Sequence, residues 1–471
     1  METVKEVIYI FNLFILVFFV VIASSYLLLS LISVFSLRRY TRSNAFVNYD
    51  VLLSSDKAPF LSIIAPAYNE SMTIEENVRS LLSLNYSNYE VIVVNDGSKD
   101  NSMEILKATY DLEPLSGYTA GSLPTKKIRT VYKSKNPAFR KLTVVDKDNG
   151  GKADALNTGV NISQYDYILC IDVDCVLDKD TLLKITKPLL EKSDKRVIAA
   201  GGVVRIANSC VVKSGRLLQV NTPEKILPRI QVIEYLRAFL LGRMAWSALD
   251  GLLLISGAFG LFDKEIAIKA GGYNTATVGE DMELLVRMRR YMLEHKAGYK
   301  VAFIPDPLCW TEAPETIKIF RKQRSRWTRG TMETLWMHRR MMLIPRYKVL
   351  GMLSMPYWLA FEYLAPILEA LGLILTMVCV MLGMFSWDVF FLLLLFVYTF
   401  AVAFSFLALL TEEYTYRQYS KIADFRKLLL GALLEPLFYH PLTVWAALKG
   451  NWEKLRGSKG WGDMVRTGFT K

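Results

Sequence analysis

Cysteine is scarce in this sequence, and nothing in its placement puts it to chemical use. The five cysteines among 471 residues (Cys170, Cys175, Cys210, Cys309 and Cys379) have no metal-ligand spacing, which argues against a cysteine metal site. Four fall in the part read below as cytoplasmic, where disulfides are rare, so they are expected to be small buried residues. A Walker loop is missing too. Gly150-Gly151-Lys152 lacks the four-residue spacer and the Lys-Ser/Thr pair, which argues against a transporter powered by ATP. No internal repeat, low-complexity tract or appended regulatory domain is evident. The first apolar stretch is too long for a cleavable leader, and no small-residue cleavage pattern follows it. A retained signal anchor is expected instead.

What the sequence does have is hydrophobicity in blocks. Hydrophobic residues make up 52% and charged residues 22%. The runs at 7–36, 370–386 and 389–410 are almost free of charge, and each is about as long as the ~20 residues a helix needs to cross a bilayer core. The middle, from about 58 to 345, has the alternation of a soluble α/β protein. The formal net charge of +12 would suggest nucleic acid in a soluble protein. Here the excess sits beside the apolar runs, as the positive-inside rule requires, and no nucleic-acid partner is expected. Arg38, Arg39 and Arg42 follow the first run, Arg339, Arg340, Arg346 and Lys348 precede the second, and Arg417, Lys421, Arg426 and Lys427 follow the third. All three clusters, and the domain between the first two, are expected in the cytoplasm of a multi-pass cell-membrane protein.

The chain divides accordingly into an N-terminal transmembrane helix (1–37), a cytosolic domain (38–316) and amphipathic interface helices (317–357). Two transmembrane helices (358–410), a cytosolic loop (411–427), a transmembrane or re-entrant segment (428–449) and a basic tail (450–471) follow. Within the domain, a polar linker (38–57) leads to strands at 61–66 and 91–94, each followed by a helical pattern, over 73–84 and from about 101. Residues 111–127 suggest a surface loop. Further strands are expected at 128–133, 142–146, 167–172 and 197–205, and Pro228 opens a helix of about 20 residues through Ile233, Leu236, Phe239, Leu240 and Met244. Strand then helix, repeated, predicts a doubly wound, mostly parallel sheet whose ligands lie beyond the carboxyl ends of the strands. The segment 428–448 contains Glu435, Pro436, His440 and Pro441, which are costly or disruptive in lipid. A full crossing would put the basic residues of the tail (Lys454, Arg456, Lys459, Arg466 and Lys471) outside. A broken or re-entrant segment with the tail inside is expected instead.

Six polar motifs fall at such strand ends or beside the second span. Pro66-Ala67-Tyr68-Asn69-Glu70 and Val94-Asn95-Asp96-Gly97-Ser98 each follow a hydrophobic strand. Either could hold a base and ribose by hydrogen bonds, and either alone could be an ordinary turn. Gly150-Gly151-Lys152 opens a helix and suits the close approach of a phosphate. Asp172-Val173-Asp174 ends a strand, and two carboxylates so close suit a magnesium or manganese ion that takes its other oxygens from phosphate. Gly279-Glu280-Asp281 precedes an apolar-periodic helix (Met282, Leu284, Leu285, Met288). The helix dipole keeps a carboxylate there ionised, and an ionised carboxylate near a hydroxyl is a usable general base. Gln323-Arg324-Ser325-Arg326-Trp327 offers guanidinium for pyrophosphate and an indole face for a sugar ring. An interfacial Arg/Trp belt would read the same way.

In this order the motifs resemble the processive family 2 glycosyltransferases of membranes, the group containing cellulose, hyaluronan and poly-N-acetylglucosamine synthases. The resemblance runs from about residue 60 to the end of the second span. It implies a GT-A type α/β domain on an α-helical transmembrane platform, a UDP-sugar donor, and Mg2+ or Mn2+. It implies donor contacts by Tyr68, Glu70, Asp96, Lys152, Asp172, Gln323 and Arg326, and a metal ligand in Asp174. Asp281 matches the catalytic base, with Glu280 beside it. Trp327 and the small-residue loop containing Gly257, Ala258 and Phe259 match the acceptor site. Many members have Asp-Asp-Gly where this chain has Asn95-Asp96-Gly97. The resemblance implies polymerisation of a sugar into a β-linked glycan that enters the membrane, with lipid around the spans and export or accessory subunits as further partners. A transferase adding one sugar to a lipid-linked acceptor, and a catalytically silent membrane subunit, are the other readings.

Overall fold

Continuous apolar runs bounded by turn signals become strands when both faces of a sheet are covered, and the sequence between 61 and 311 carries several such runs. The computed structural model describes residues 2–53, 55, 57–117, 121–213 and 215–457. Its strands are β1 (Leu61–Ala67), β2 (Tyr89–Asn95), β3 (Leu112–Pro114), β4 (Ile128–Ser134), β5 (Leu142–Lys147), β6 (Tyr167–Ile171), β7 (Val176–Leu177), β8 (Arg196–Ile206), β9 (Val211–Lys213), β10 (Arg216–Gln219), β11 (Phe259–Asp263) and β12 (Tyr299–Thr311). Ten of them form one sheet in the order β3-β4-β5-β2-β1-β6-β11-β8-β12-β7. Strands β5, β2, β1 and β6 are mutually parallel, with Ile63 level with both Val91 and Leu169. Their carboxyl ends therefore share one edge, and four of the six polar motifs, or the loop leading to them, start there. Strand β11 runs antiparallel between β6 and β8, so the sheet is mixed and mostly parallel.

Each expected strand is present with ends shifted by a few residues. The expected loop at 111–127 includes a short edge strand, β3, which pairs antiparallel with β4. The helix expected at Pro228 begins at Ile226, passes through a π-helical stretch at Arg237–Arg243 and ends at Ala248. It lies against the apolar helices as well as the sheet. Ser33 donates to the Leu240 carbonyl, and the rings of Trp246 and Tyr357 meet edge to face at 5.0 Å.

Among the described residues, four helices are long and apolar enough to cross a membrane: Tyr9–Asn44, Leu350–Met381, Trp387–Thr415 and Ile422–Leu455. The first continues beyond the expected boundary at 37, so Arg38, Arg39 and Arg42 ride on its last turns. Its end is tied to the sheet domain by Tyr40, whose hydroxyl donates to Asp306 at 2.6 Å. The third ends at a buried ion pair between Glu412 and Arg205 of β8.

The difficult segment around Glu435 is helical throughout, with a π-helical stretch at Glu435–Tyr439. Glu435 is buried and paired with Arg237, so its charge meets a guanidinium instead of lipid. Both ends of this segment touch the sheet domain and the helix packed on it. Lys421 donates to Asn221 at 3.3 Å, and Lys454 pairs with Glu333 at 2.5 Å. A straight crossing would separate those ends by the bilayer thickness. Residues 458–471 of the basic tail, including Lys459, Arg466 and Lys471, lie outside the described residues. All five cysteines are buried and free.

Candidate active site

The parallel strand ends deliver the motif loops to one cavity of about 2880 Å³. Tyr68, Glu70, Asp96, Lys152, Asp172, Asp174, Gly257, Ala258, Glu280, Asp281, Gln323, Arg326 and Trp327 all line it. Phe259 does not. It begins β11, is fully buried, and turns its ring toward Gly202 in the neighbouring strand. The small-residue loop thus contributes Gly257 and Ala258 to the wall, and the acceptor role expected for Phe259 is corrected to a core role.

At the β2 end, the Asp96 carboxylate is fully engaged. One oxygen accepts from Lys147 Nζ at 2.6 Å and from Gly150 N at 3.0 Å, and the other accepts from Gly151 N at 2.8 Å. Lys147 also pairs with Asp154 at 2.6 Å. Asp96 therefore holds the glycine loop in place, and Gly151, at φ 86°, turns the chain into the helix that starts at Lys152. Asn95, the departure from Asp-Asp-Gly, donates to Asp146 at 2.7 Å; a second carboxylate there would face Asp146 as a like charge.

Lys152 links the third motif to the fourth and fifth. Its ammonium pairs with Asp172, donates to the Gly257 carbonyl at 2.9 Å and lies 3.8 Å from Glu280. Burial alone would lower the Lys152 pKa, but Asp172, Glu280 and Asp281 outweigh it and the net shift is upward. Burial pushes the Glu280 carboxyl up to about 7, with Lys152 opposing and Asp281 adding to the rise. Asp281 sits next to Gly257: a Cβ there would stand 2.8 Å from Asp281 Oδ2. The chain between the fourth and fifth motifs is thus folded so that Asp281, the Lys152 ammonium and the Asp172 and Glu280 carboxylates share a single wall.

The helix Ile317–Met337 carries Gln323 to Trp327 and is held from both sides. On one side Gly330 meets Gly279 backbone to backbone, where a Cβ on Gly330 would lie 2.7 Å from Gly279 Cα. Glu333 accepts from Thr277 Oγ1 at 2.7 Å and from Val278 N at 3.0 Å, so it caps the loop that leads to Glu280 and Asp281. On the other side the C-terminal helix packs Gly450 against Ser325, and Glu453 accepts from Ser325 Oγ at 2.6 Å. Gln323 lines the cavity with a buried Oε1 that has no hydrogen-bond partner in the described residues. Glu333, Gly330 and Gly450 carried no motif signal; only a long-range pairing makes them matter.

Residues 58–330, more than half of the chain, match the sequence profile described as "Glycosyltransferase like family 2". The chain belongs to this glycosyltransferase family. Poly-beta-1,6-N-acetyl-D-glucosamine synthase of Staphylococcus aureus is 29% identical to it over 285 residues, 60% of this chain and 57% of that protein. The Staphylococcus epidermidis protein of the same name is 32% identical over 276 residues, 58% of this chain and 55% of that protein. The matches thus span a little over half the length of these relatives. Among solved structures, a mannosyltransferase from Pyrobaculum calidifontis in complex with GDP-Man and Mn2+ superposes with a TM-score of 0.50 at 17% identity, covering 88% of this chain and 99% of that one. That likeness bears on the fold alone, and the glycosyltransferase domain has the GT-A architecture.

Proposed function

We propose that this glycosyltransferase polymerises a sugar from a UDP-sugar donor by an inverting displacement and feeds the β-linked product into the membrane. The observation that carries the reading is the convergence of Asp174, Asp281 and Trp327 on one cavity. The same cavity continues past Phe18 and Ile22 of the first long helix and Leu394 and Val397 of the third. The staphylococcal relatives, named as poly-N-acetylglucosamine synthases, make UDP-N-acetylglucosamine the first donor to test.

In this mechanism Asp281 takes the proton from the acceptor hydroxyl as that oxygen bonds to the anomeric carbon. The bond from that carbon to the diphosphate breaks, and the diphosphate leaves as UDP. Attack opposite the leaving group turns an α-linked donor into a β-linked product. Lys152 and Arg326 lie on the donor side and offset the negative charge that grows on the diphosphate. Tyr68 and Glu70 border the nucleotide, and Asp96 shapes its pocket through the glycine loop. Trp327 offers its ring to the acceptor, with Gly257 and Ala258 leaving room for it.

The donor set fits a divalent ion. Among the described residues no three His, Cys, Asp or Glu cluster as a closed metal site. Asp174 is a buried carboxylate on the cavity wall, and Asp172 is already paired with Lys152. One protein carboxylate plus diphosphate oxygens is the way Mg2+ is commonly held. When bound, such an ion would supply Lewis-acid charge stabilisation to the leaving diphosphate.

The basic clusters support the orientation. Arg346 donates to the Glu294 carbonyl at 3.0 Å, Lys421 reaches Asn221, and Arg38, Arg39 and Arg42 precede the Asn44 contact to Lys187. All three therefore sit on the catalytic-domain side, which supports a cytoplasmic domain. The test is to incubate membranes with labelled UDP-sugars and Mn2+ or Mg2+ and to size the product. A ladder of long chains is expected. A product of one sugar on a lipid would replace polymerisation with lipid-linked transfer, and no transfer from any donor would remove the proposal.

A further inference from the structure

Charged side chains lining the cavity beyond Asp281 are mostly paired. Arg237 holds Glu435, Arg324 holds Glu234 and the Tyr439 hydroxyl, and His440 meets Glu369 at 2.8 Å. Two charges on the same wall are different. Arg243 and Glu362 line the cavity, and neither side chain makes a hydrogen bond or ion pair among the described residues. Arg243 rests its guanidinium over the Phe239 ring at 4.0 Å, and its Nε is buried without a hydrogen-bond partner. Asp281 and Glu362 both act on Arg243 electrostatically, and the segments carrying Arg243 and Glu362 meet close by, where Trp246 packs on Tyr357 at 5.0 Å. Each stands on a π-helical stretch, Arg237–Arg243 and Trp358–Tyr363, a local geometry frequent at functional sites. Trp246, Tyr357, Trp358 and Phe361 line the same part of the cavity.

We infer that Arg243 and Glu362 form a saccharide subsite, which takes the sugar next to the one that receives the new residue. This rests on the proposed polymerising function and adds to it the chemistry of the bound chain. A lipid tail in this space would leave a guanidinium and a carboxylate dry and unmatched, which is strongly unfavourable. A cationic ligand would be repelled by Arg243 and an anionic one by Glu362. A neutral sugar satisfies both, because its hydroxyls and any amide donate to the carboxylate and accept from the guanidinium. Its apolar ring faces suit the four aromatic side chains. The pair therefore selects an uncharged, hydroxyl-rich chain and holds it while Asp281 acts on its end.

The experiment uses the full-length protein in membranes with the UDP-sugar that the wild type polymerises and with oligosaccharide acceptors of defined length. Glu362→Gln and Arg243→Gln are compared with the wild type. Removing one charged hydrogen-bond partner should raise the acceptor KM by about tenfold and shorten the products, with donor KM unchanged. Glu362→Gln keeps shape and volume, so it remains informative if Arg243→Gln does not fold. An acceptor KM and product length equal to wild type in Glu362→Gln would overturn the subsite. So would equal losses for donor and acceptor accompanied by a lower thermal midpoint, which is the mark of a structural role. A wild type that polymerises no donor removes the function itself, a result separate from wild-type polymer made unchanged by the variants.

Discussion

Replacing Gly330 by alanine tests how the acceptor side of the site is held against the base. Its Cβ would stand 2.7 Å from Gly279 Cα, 3.0 Å from Gly279 N and 3.4 Å from the Val278 carbonyl carbon. Carbon atoms rest at about 3.5–4.0 Å, so the helix carrying Gln323 to Trp327 must back away by about 1 Å. No side-chain rotamer relieves the contact, because every nearby atom is backbone. A shift of that size in a positioned group costs on the order of 10²-fold in rate, and overpacking destabilises by about 1–3 kcal/mol. The assay is initial rate at saturating donor, with UDP affinity and thermal midpoint measured on the same detergent-purified protein. The expected result is a rate near one-hundredth of wild type, UDP affinity within a few fold, and a folded protein. Gly298→Ala is the control, since its Cβ would meet nothing closer than 3.8 Å. A Gly330→Ala enzyme as fast as that control would refute the argument that the Gly279–Gly330 contact sets the geometry.

Three further outcomes follow from the same structure. Asp281→Asn should keep UDP binding and lose about 10²–10⁴-fold in turnover, so normal product yield would remove the base assignment. The Glu280 carboxyl, raised to about 7 from 4.5, keeps its proton in the folded state at pH values where the unfolded chain has lost it. Its contribution to stability is therefore greatest below pH 4.5 and declines as pH rises toward 7. Glu280→Gln should remove that decline, worth about 3 kcal/mol, and thermal midpoints across pH 4.5–8 without donor or metal would test it. Glu412→Ala leaves Arg205 buried without its carboxylate, a change that typically costs about 3–5 kcal/mol. A thermal midpoint equal to wild type would mean that the pair does not hold the third long helix to β8.

The strand ends were legible because local rules govern them. An apolar run such as Val91-Ile92-Val93-Val94 followed by Asn95-Asp96-Gly97 announces both the strand and the turn, and a parallel sheet then fixes where the loop goes. The positions of Asp174 beyond a strand and of Asp281 at a helix start were legible from similar local signals. The partners that set their geometry were not. Lys147 sits at the end of an ordinary strand, yet it is fully buried between Asp96 and Asp154. Glu333 reads as one polar residue on a basic helix, yet it joins the loop before Asp281 to Lys454 near the end of the described chain. Apart from Lys147–Asp154, these pairings join residues about 50–120 positions apart, and composition and periodicity carry no record of them. Phe259 failed for a different reason. The loop Ser256-Gly257-Ala258 passes directly into β11, a strand buried on both faces, so the next large side chain enters the core.

The segment around Glu435 unites the topology with the site. If Ile422–Leu455 crossed the membrane, Lys454 would be a bilayer thickness away from Glu333, and the clamp on the helix of Gln323 to Trp327 would not exist. Docked at both ends, the segment packs along the domain. Its π-helical stretch turns Glu435 onto Arg237, at the start of the same π-helical stretch that ends in Arg243. The charges that made this sequence a poor transmembrane helix are therefore the groups that fasten it beside the cavity. The cavity wall beyond Asp281 sets the charged groups Arg237, Arg243, Glu362 and Glu435 among apolar side chains such as Phe18, Ile22, Leu394 and Val397, and buried charges of that kind on apolar helices mark a functional interior.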